Sequence, residues 1–149
     1  MSRATPKMRD FAEQLIAYES TENKSPGIEA PVTLRVVGKL RPQLANLMGN
    51  AGFRALLSRS LALAAEEAPW LRAAHVKEDG TLGGVDELEA KVRPDDFYEG
   101  RVVLVAQLLG LLAAFIGEKL TLQVVGGVWP HLSFNGSWLG QRDKYEKAN

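Results

Sequence analysis

Val102-Val103-Leu104-Val105-Ala106-Gln107-Leu108-Leu109-Gly110-Leu111-Leu112-Ala113-Ala114-Phe115-Ile116 is the segment that sets the architecture of this chain. It carries no charge, and Arg101 and Glu118 bound it. Only Gln107 and Gly110 interrupt its apolar side chains. A helix built from it is apolar on every side, and such a helix needs neighbours all round. A membrane-spanning helix takes about 20 apolar residues, and this run is shorter. The reading is therefore a helix from about Asp96 to Ile116, buried at the centre of an all-α protein. Ala106, Gly110 and Ala114 recur every four residues, as do Ala113 and Gly117, and small residues at that spacing let another helix come close.

Just before the run, Pro94-Asp95-Asp96 is a helix-start signal, with acidic residues at the positive end of the helix dipole. After it, Gly117 bends the chain, and a last helix from about Glu118 to Trp129 stops at Pro130. On the N-terminal side, Val85 to Val92 reads as a short helix. Asp79-Gly80 lies between short apolar positions, which predicts a small β-hairpin or ordered loop. Pro69-Trp70-Leu71 changes the direction of the chain. A helix from about Gly52 to Ala68 has an inner face of Phe53, Leu56, Leu57, Leu61 and Ala64. Its outer face is Ala55, Ser58, Ala62, Ala65 and Glu66. Small outer residues suit a second helix packing from that side; they are also simply good helix formers.

The second helix starts near Glu29 or Ala30 and buries Val37, Leu40, Leu44 and Leu47. Pro42 lies within it and is expected to kink or split it near Arg41, since proline lacks the amide hydrogen and clashes with the preceding turn. Gly49-Asn50 ends it. The first helix, about Lys7 to Glu19, carries Met8, Phe11, Leu15 and Tyr18 on one face. Five to seven helices packed as a compact bundle are expected over residues 1–140, a single domain, followed by a polar tail over 141–149.

Composition narrows the function classes. Leu, Ile, Val and Phe make up 41 of the 149 residues, enough for a folded core. Cysteine is absent, which excludes disulfides, thiol catalysis and cysteine-rich zinc sites. Eighteen basic residues balance eighteen acidic ones, so the general grip on nucleic acid is missing. The halves differ in sign: residues 1–75 carry ten Lys/Arg against seven Asp/Glu, and the remainder eight against eleven. No apolar segment follows the basic N-terminus, so no secretory signal is read and a cytoplasmic protein is expected. Asn135-Gly136-Ser137 matches the glycosylation sequon, by accident on that reading.

Gly100-Arg101-Val102-Val103 leading into a long apolar helix resembles the start of the central helix in apoptosis regulators of the B-cell-lymphoma type. Leu34, with Gly38 four residues later, is similar to part of their amphipathic death motif. The resemblance implies helices around an apolar hairpin and work done by binding helices or entering membranes. It covers a handful of residues: Lys39 stands where the motif has aspartate, and Asp96-Phe97-Tyr98-Glu99 replaces the tryptophan-containing segment before Gly-Arg.

No catalytic constellation emerges. His75 and His131 fall in no metal-ligand spacing and read as turn and helix-end residues. Asp95, Asp96 and Glu99 could do acid–base work or bind an ion, but capping and the helix dipole already account for them. Gly80, Gly83 and Gly84 fit neither a dinucleotide fingerprint nor a P-loop. Ser58 and Ser60 have no histidine placed to activate them. No enzyme, cofactor, metal or small-molecule substrate is expected. The expectation is a helical adaptor or accessory subunit that binds a protein or self-associates. Its candidate contacts are the basic residues Arg35, Lys39, Arg41, Arg54 and Arg59, with Ala62 and the aromatic anchors Trp129, Phe134 and Trp138; the equal alternative for Trp129 and Phe134 is that they close the core. The alternative is a membrane-active protein that inserts a hairpin over 102–129 after a trigger.

Overall fold

The computed structural model describes residues 5–22 and 32–130. It is mostly helical, as an all-α reading requires, with one small two-stranded sheet. Five α-helices lie among the described residues: α1 (Pro6–Glu22), α2 (Val32–Glu67), α3 (Val85–Lys91), α4 (Pro94–Ile116) and α5 (Glu118–Val128). A 3-10 turn over Pro69–Ala73 follows α2, and strands β1 (His75–Val76) and β2 (Leu82–Gly83) pair antiparallel. The expected helix start at Glu29 or Ala30, the sequon at Asn135 and the polar tail over 141–149 lie outside the described residues.

Helix α4 is the axis. Every residue from Val102 to Leu109 is buried, which covers the whole circumference of the helix for two turns. Helices α1, α2 and α5 pack against it. The one polar side chain in that span, Gln107, is 4% exposed, and its amide donates to Glu67 Oε2 at 3.2 Å. That bond answers the cost of burying an amide. The start of α4 follows the sequence: Arg93 is the extended N-cap, Pro94 opens the first turn, and Asp95 and Asp96 sit in it. Gly117, at φ 94°, separates α4 from α5.

Helix α2 corrects the local expectations. The chain stays helical through Pro42, where a kink is expected, and breaks at Gly49, as Gly49-Asn50 predicts; the φ of 80° and ψ of 161° there belong to glycine's range. Proline's clash is with the carbonyl four residues back, that of Gly38. Gly38 and Pro42 are both exposed, so that carbonyl can turn to water and the helix tolerates the ring. Ala65, expected on the outer face, is 6% exposed within the core. Leu47, expected in the buried stripe, is 48% exposed. Ala55, Ser58, Ala62 and Glu66 do face outward.

The hairpin forms where Asp79-Gly80 predicts it. His75 opposes Gly83 and Val76 opposes Leu82. Asp79 Oδ1 accepts from the Thr81 amide at 3.0 Å and the Thr81 hydroxyl at 2.6 Å. These bonds hold its carboxyl below the usual carboxylate range. His75, read as a turn residue, lies in the strand and is exposed.

Candidate functional site

The basic residues of the first half do not form one free patch. Arg35 and Lys39, one turn apart on α2, both approach Glu19 of α1. Lys39 Nζ lies 2.6 Å from Glu19 Oε2, and Arg35 Nε lies 3.9 Å from Oε1. Glu19 is fully buried, whereas the Lys39 side chain is 42% exposed. Arg41 lies against the hairpin turn at Gly80. Arg54 is half-buried, and Arg59 is exposed.

Trp129 is turned inward. It is 1% exposed, and its indole Nε1 donates to Glu19 Oε2 at 2.8 Å. A partner cannot reach its ring in this arrangement. Phe134, Trp138 and His131 lie outside the described residues. The carboxylate of Glu19 thus gathers groups from α1, α2 and the end of α5, and none of the expected sites included it. A signal was present. Ala12, Leu15, Ile16 and Glu19 occupy one stripe of α1, so a carboxylate sits where the helical period asks for an apolar residue.

Around the exposed Ala62 the surface is concave. Ser58, Leu61, Ala62, Ala65, Glu66, Leu71, Arg72 and Ala74 line a shallow hollow of about 410 Å³. Its floor is apolar: Leu61, Ala65, Leu71 and Ala74 are buried. Ser58, Glu66 and Arg72 form an exposed rim. The hollow exists because the turn after α2 folds back, bringing Leu71 and Ala74 beside the small residues of the helix face. A larger side chain at Ala62 would fill it.

The acidic residues at the start of α4 part company. Glu99 accepts from Arg9 of α1 at 2.8 Å, and the guanidinium holds its carboxyl below the usual range. The Asp96 carbonyl accepts from Trp70 Nε1 at 3.0 Å. Trp70 stacks on Phe97 at 5.0 Å, and the Arg101 guanidinium lies 5.3 Å from the Phe97 ring centre and 5.5 Å from that of Tyr98. Trp70, Glu67, Lys91, Arg93, Asp96 and Glu99 line a second, open cleft of about 460 Å³. No group of three or more metal-ligating side chains occurs among the described residues. Around the resembling Gly100-Arg101 segment, Gly100 faces the Trp70 ring.

At the far end of α4, Phe115 is 68% exposed and Leu120 of α5 is 36% exposed. Comparison with protein-family models, curated proteins and solved structures finds no match.

Proposed function

We propose that this chain is a non-enzymatic protein-interaction module, an adaptor or accessory subunit that works in the cytoplasm. The observation that carries the reading is the hollow beside Ala62, with its apolar floor and polar rim. Interface centres take this form, an apolar pocket that desolvates an anchor within a ring of polar groups. The partner is an amphipathic helix with one large apolar anchor and acidic neighbours. The acids face Arg72, exposed on the rim of the hollow. Charge of that kind orients the encounter, while the anchor supplies affinity.

The test is a photo-crosslinking side chain at Ser58 in native cells, with one at exposed Gln43 as control. A distinct protein adduct from position 58, absent from position 43 and lost on Ala62→Arg, supports the reading. Equal results at the two positions, or an adduct that survives Ala62→Arg, defeat it.

A second reading is favoured by the exposed Phe115 and Leu120 at the α4–α5 corner: a membrane-active protein that inserts its hairpin over 102–129. Helix α4 is long and apolar enough to cross a membrane, although 56% of that window is buried, as in a core helix. Flotation with anionic and neutral liposomes separates the two readings. Binding abolished by Phe115→Asp supports insertion, and recovery entirely in the soluble fraction removes it.

A further inference from the structure

Helix α5 depends on its neighbours for its stability. It has 11 residues, and an isolated helix shorter than about 12–15 residues is marginal in water. Gly126 and Gly127 lie within it, and a Cβ at either would meet nothing within 4 Å. They therefore carry glycine's helix penalty with no close packing in return. Only Thr121 and Val125 of the helix proper are buried, and the Thr121 hydroxyl is satisfied locally by the Gly117 carbonyl at 2.8 Å.

A glycine stands at its near end and a buried polar cluster at its far end. At the near end, Gly117 has φ 94° and open space around its Cβ position, so the link to α4 can turn. At the far end, Trp129 donates to a buried carboxylate that also takes Lys39 at 2.6 Å. Hydrogen bonds to charged groups are roughly twice as strong as neutral ones. The Lys39 ammonium, with the Arg35 guanidinium 3.9 Å from the other oxygen, holds the Glu19 carboxylate in place, and that carboxylate is the acceptor that pins Trp129.

We propose that the Glu19–Lys39–Trp129 cluster is a latch, and that α5 opens about Gly117 as a unit while α1, α2 and α4 stay folded. The proposal is independent of the interaction-module reading. Opening uncovers the parts of α2 and α4 against which α5 packs.

Hydrogen exchange followed by mass spectrometry tests it. Trp129→Phe keeps most of the ring and removes the indole donor. Lys39→Met removes the nearer of the two cations at Glu19 without altering any residue of α5. Both variants should speed exchange of amides 118–128 by roughly tenfold or more, the size of a lost charged hydrogen bond. Amides 102–112 should change much less. A readout in α5 from Lys39→Met distinguishes a latch from simple packing of the Trp129 ring. Equal acceleration in both segments, or no change in α5, overturns the proposal. Wild-type protein in graded, sub-denaturing urea tests the same opening should a variant fail to fold. A latch predicts that 118–128 exchanges through an opening with weaker urea dependence than 102–112. A shared dependence overturns it.

Discussion

Replacing Gly100 by Ala sets two effects of opposite sign against each other. Gly100 lies inside α4, where alanine is favoured over glycine by about 1 kcal/mol. On helix propensity alone the substitution stabilises. Packing points the other way, because the new Cβ would sit 2.3 Å from Trp70 Cζ2, 2.7 Å from Cε2 and 2.8 Å from Nε1. The Trp70 ring has little freedom to retreat. It stacks on Phe97, and its Nε1 is bonded to the Asp96 carbonyl at 3.0 Å. Overpacking of this kind costs about 1–3 kcal/mol, and losing the indole hydrogen bond adds about 1 kcal/mol. The expected net is a loss of about 1–3 kcal/mol. For a chain of this size that is a fall in Tm of about 3 °C for each kcal/mol. Thermal and urea unfolding followed by circular dichroism measure it. The double-mutant cycle with Trp70→Ala isolates the cause: once the ring is gone, Gly100→Ala should become neutral or favourable. Unchanged or raised stability of Gly100→Ala in the wild-type background would refute the packing argument.

Gly110→Ala brings its Cβ equally close, 2.3 Å, but to the terminal methyl of Met8. A flexible thioether can move, so stability should stay within about 1 kcal/mol of wild type. Gly38→Ala meets nothing within 4 Å on an exposed helix face and should stabilise by about 0.5–1 kcal/mol, seen as a higher urea midpoint. Leu108→Ala, at a fully buried site of α4, should cost about 2–5 kcal/mol in the same unfolding assay. Arg9 lowers the Glu99 carboxyl, so the folded state binds that proton less tightly than the unfolded state. The pair's contribution is present above the usual carboxylate range and is lost as pH falls through the lowered value. The Glu99 side chain is 46% exposed, so screening limits the contribution to about 0.2–1 kcal/mol. Urea midpoints of wild type and Arg9→Met should therefore converge on acidification and on adding salt; a gap independent of pH would count against the pair.

Much of the local structure is legible along the chain. The uncharged run from Val102 to Ile116 announces a helix buried on all sides, and the structure buries it so from Val102 to Leu109 while leaving Ala114 and Phe115 exposed. Pro94-Asp95-Asp96 marks its start, Gly117 its end, and Asp79-Gly80 the hairpin. Each is a property of neighbours in sequence: side-chain period, a fixed φ, a missing Cβ, a carboxylate two residues from an amide. The contrast between Pro42 and Gly49 shows the limit of such signals. Proline's penalty depends on whether the opposed carbonyl can turn to solvent, and only packing settles which face of α2 that is.

The candidate sites are less legible. The basic residues of α2 read as a surface patch, yet Lys39 and Arg35 close on a carboxylate from α1. Ala62 is visible as a small outer residue, but the hollow beside it needs Leu71 and Ala74 to fold back across the end of α2. Trp129 reads as an anchor until it is found bonded to Glu19, which is 110 residues away in sequence. Where helices form and which stripe of each is apolar follow from the order of residues, because propensity and period act over a few positions. Which charges are paired, which aromatic faces inward and where the surface is concave follow only from packing, because they depend on groups that meet when distant segments come together.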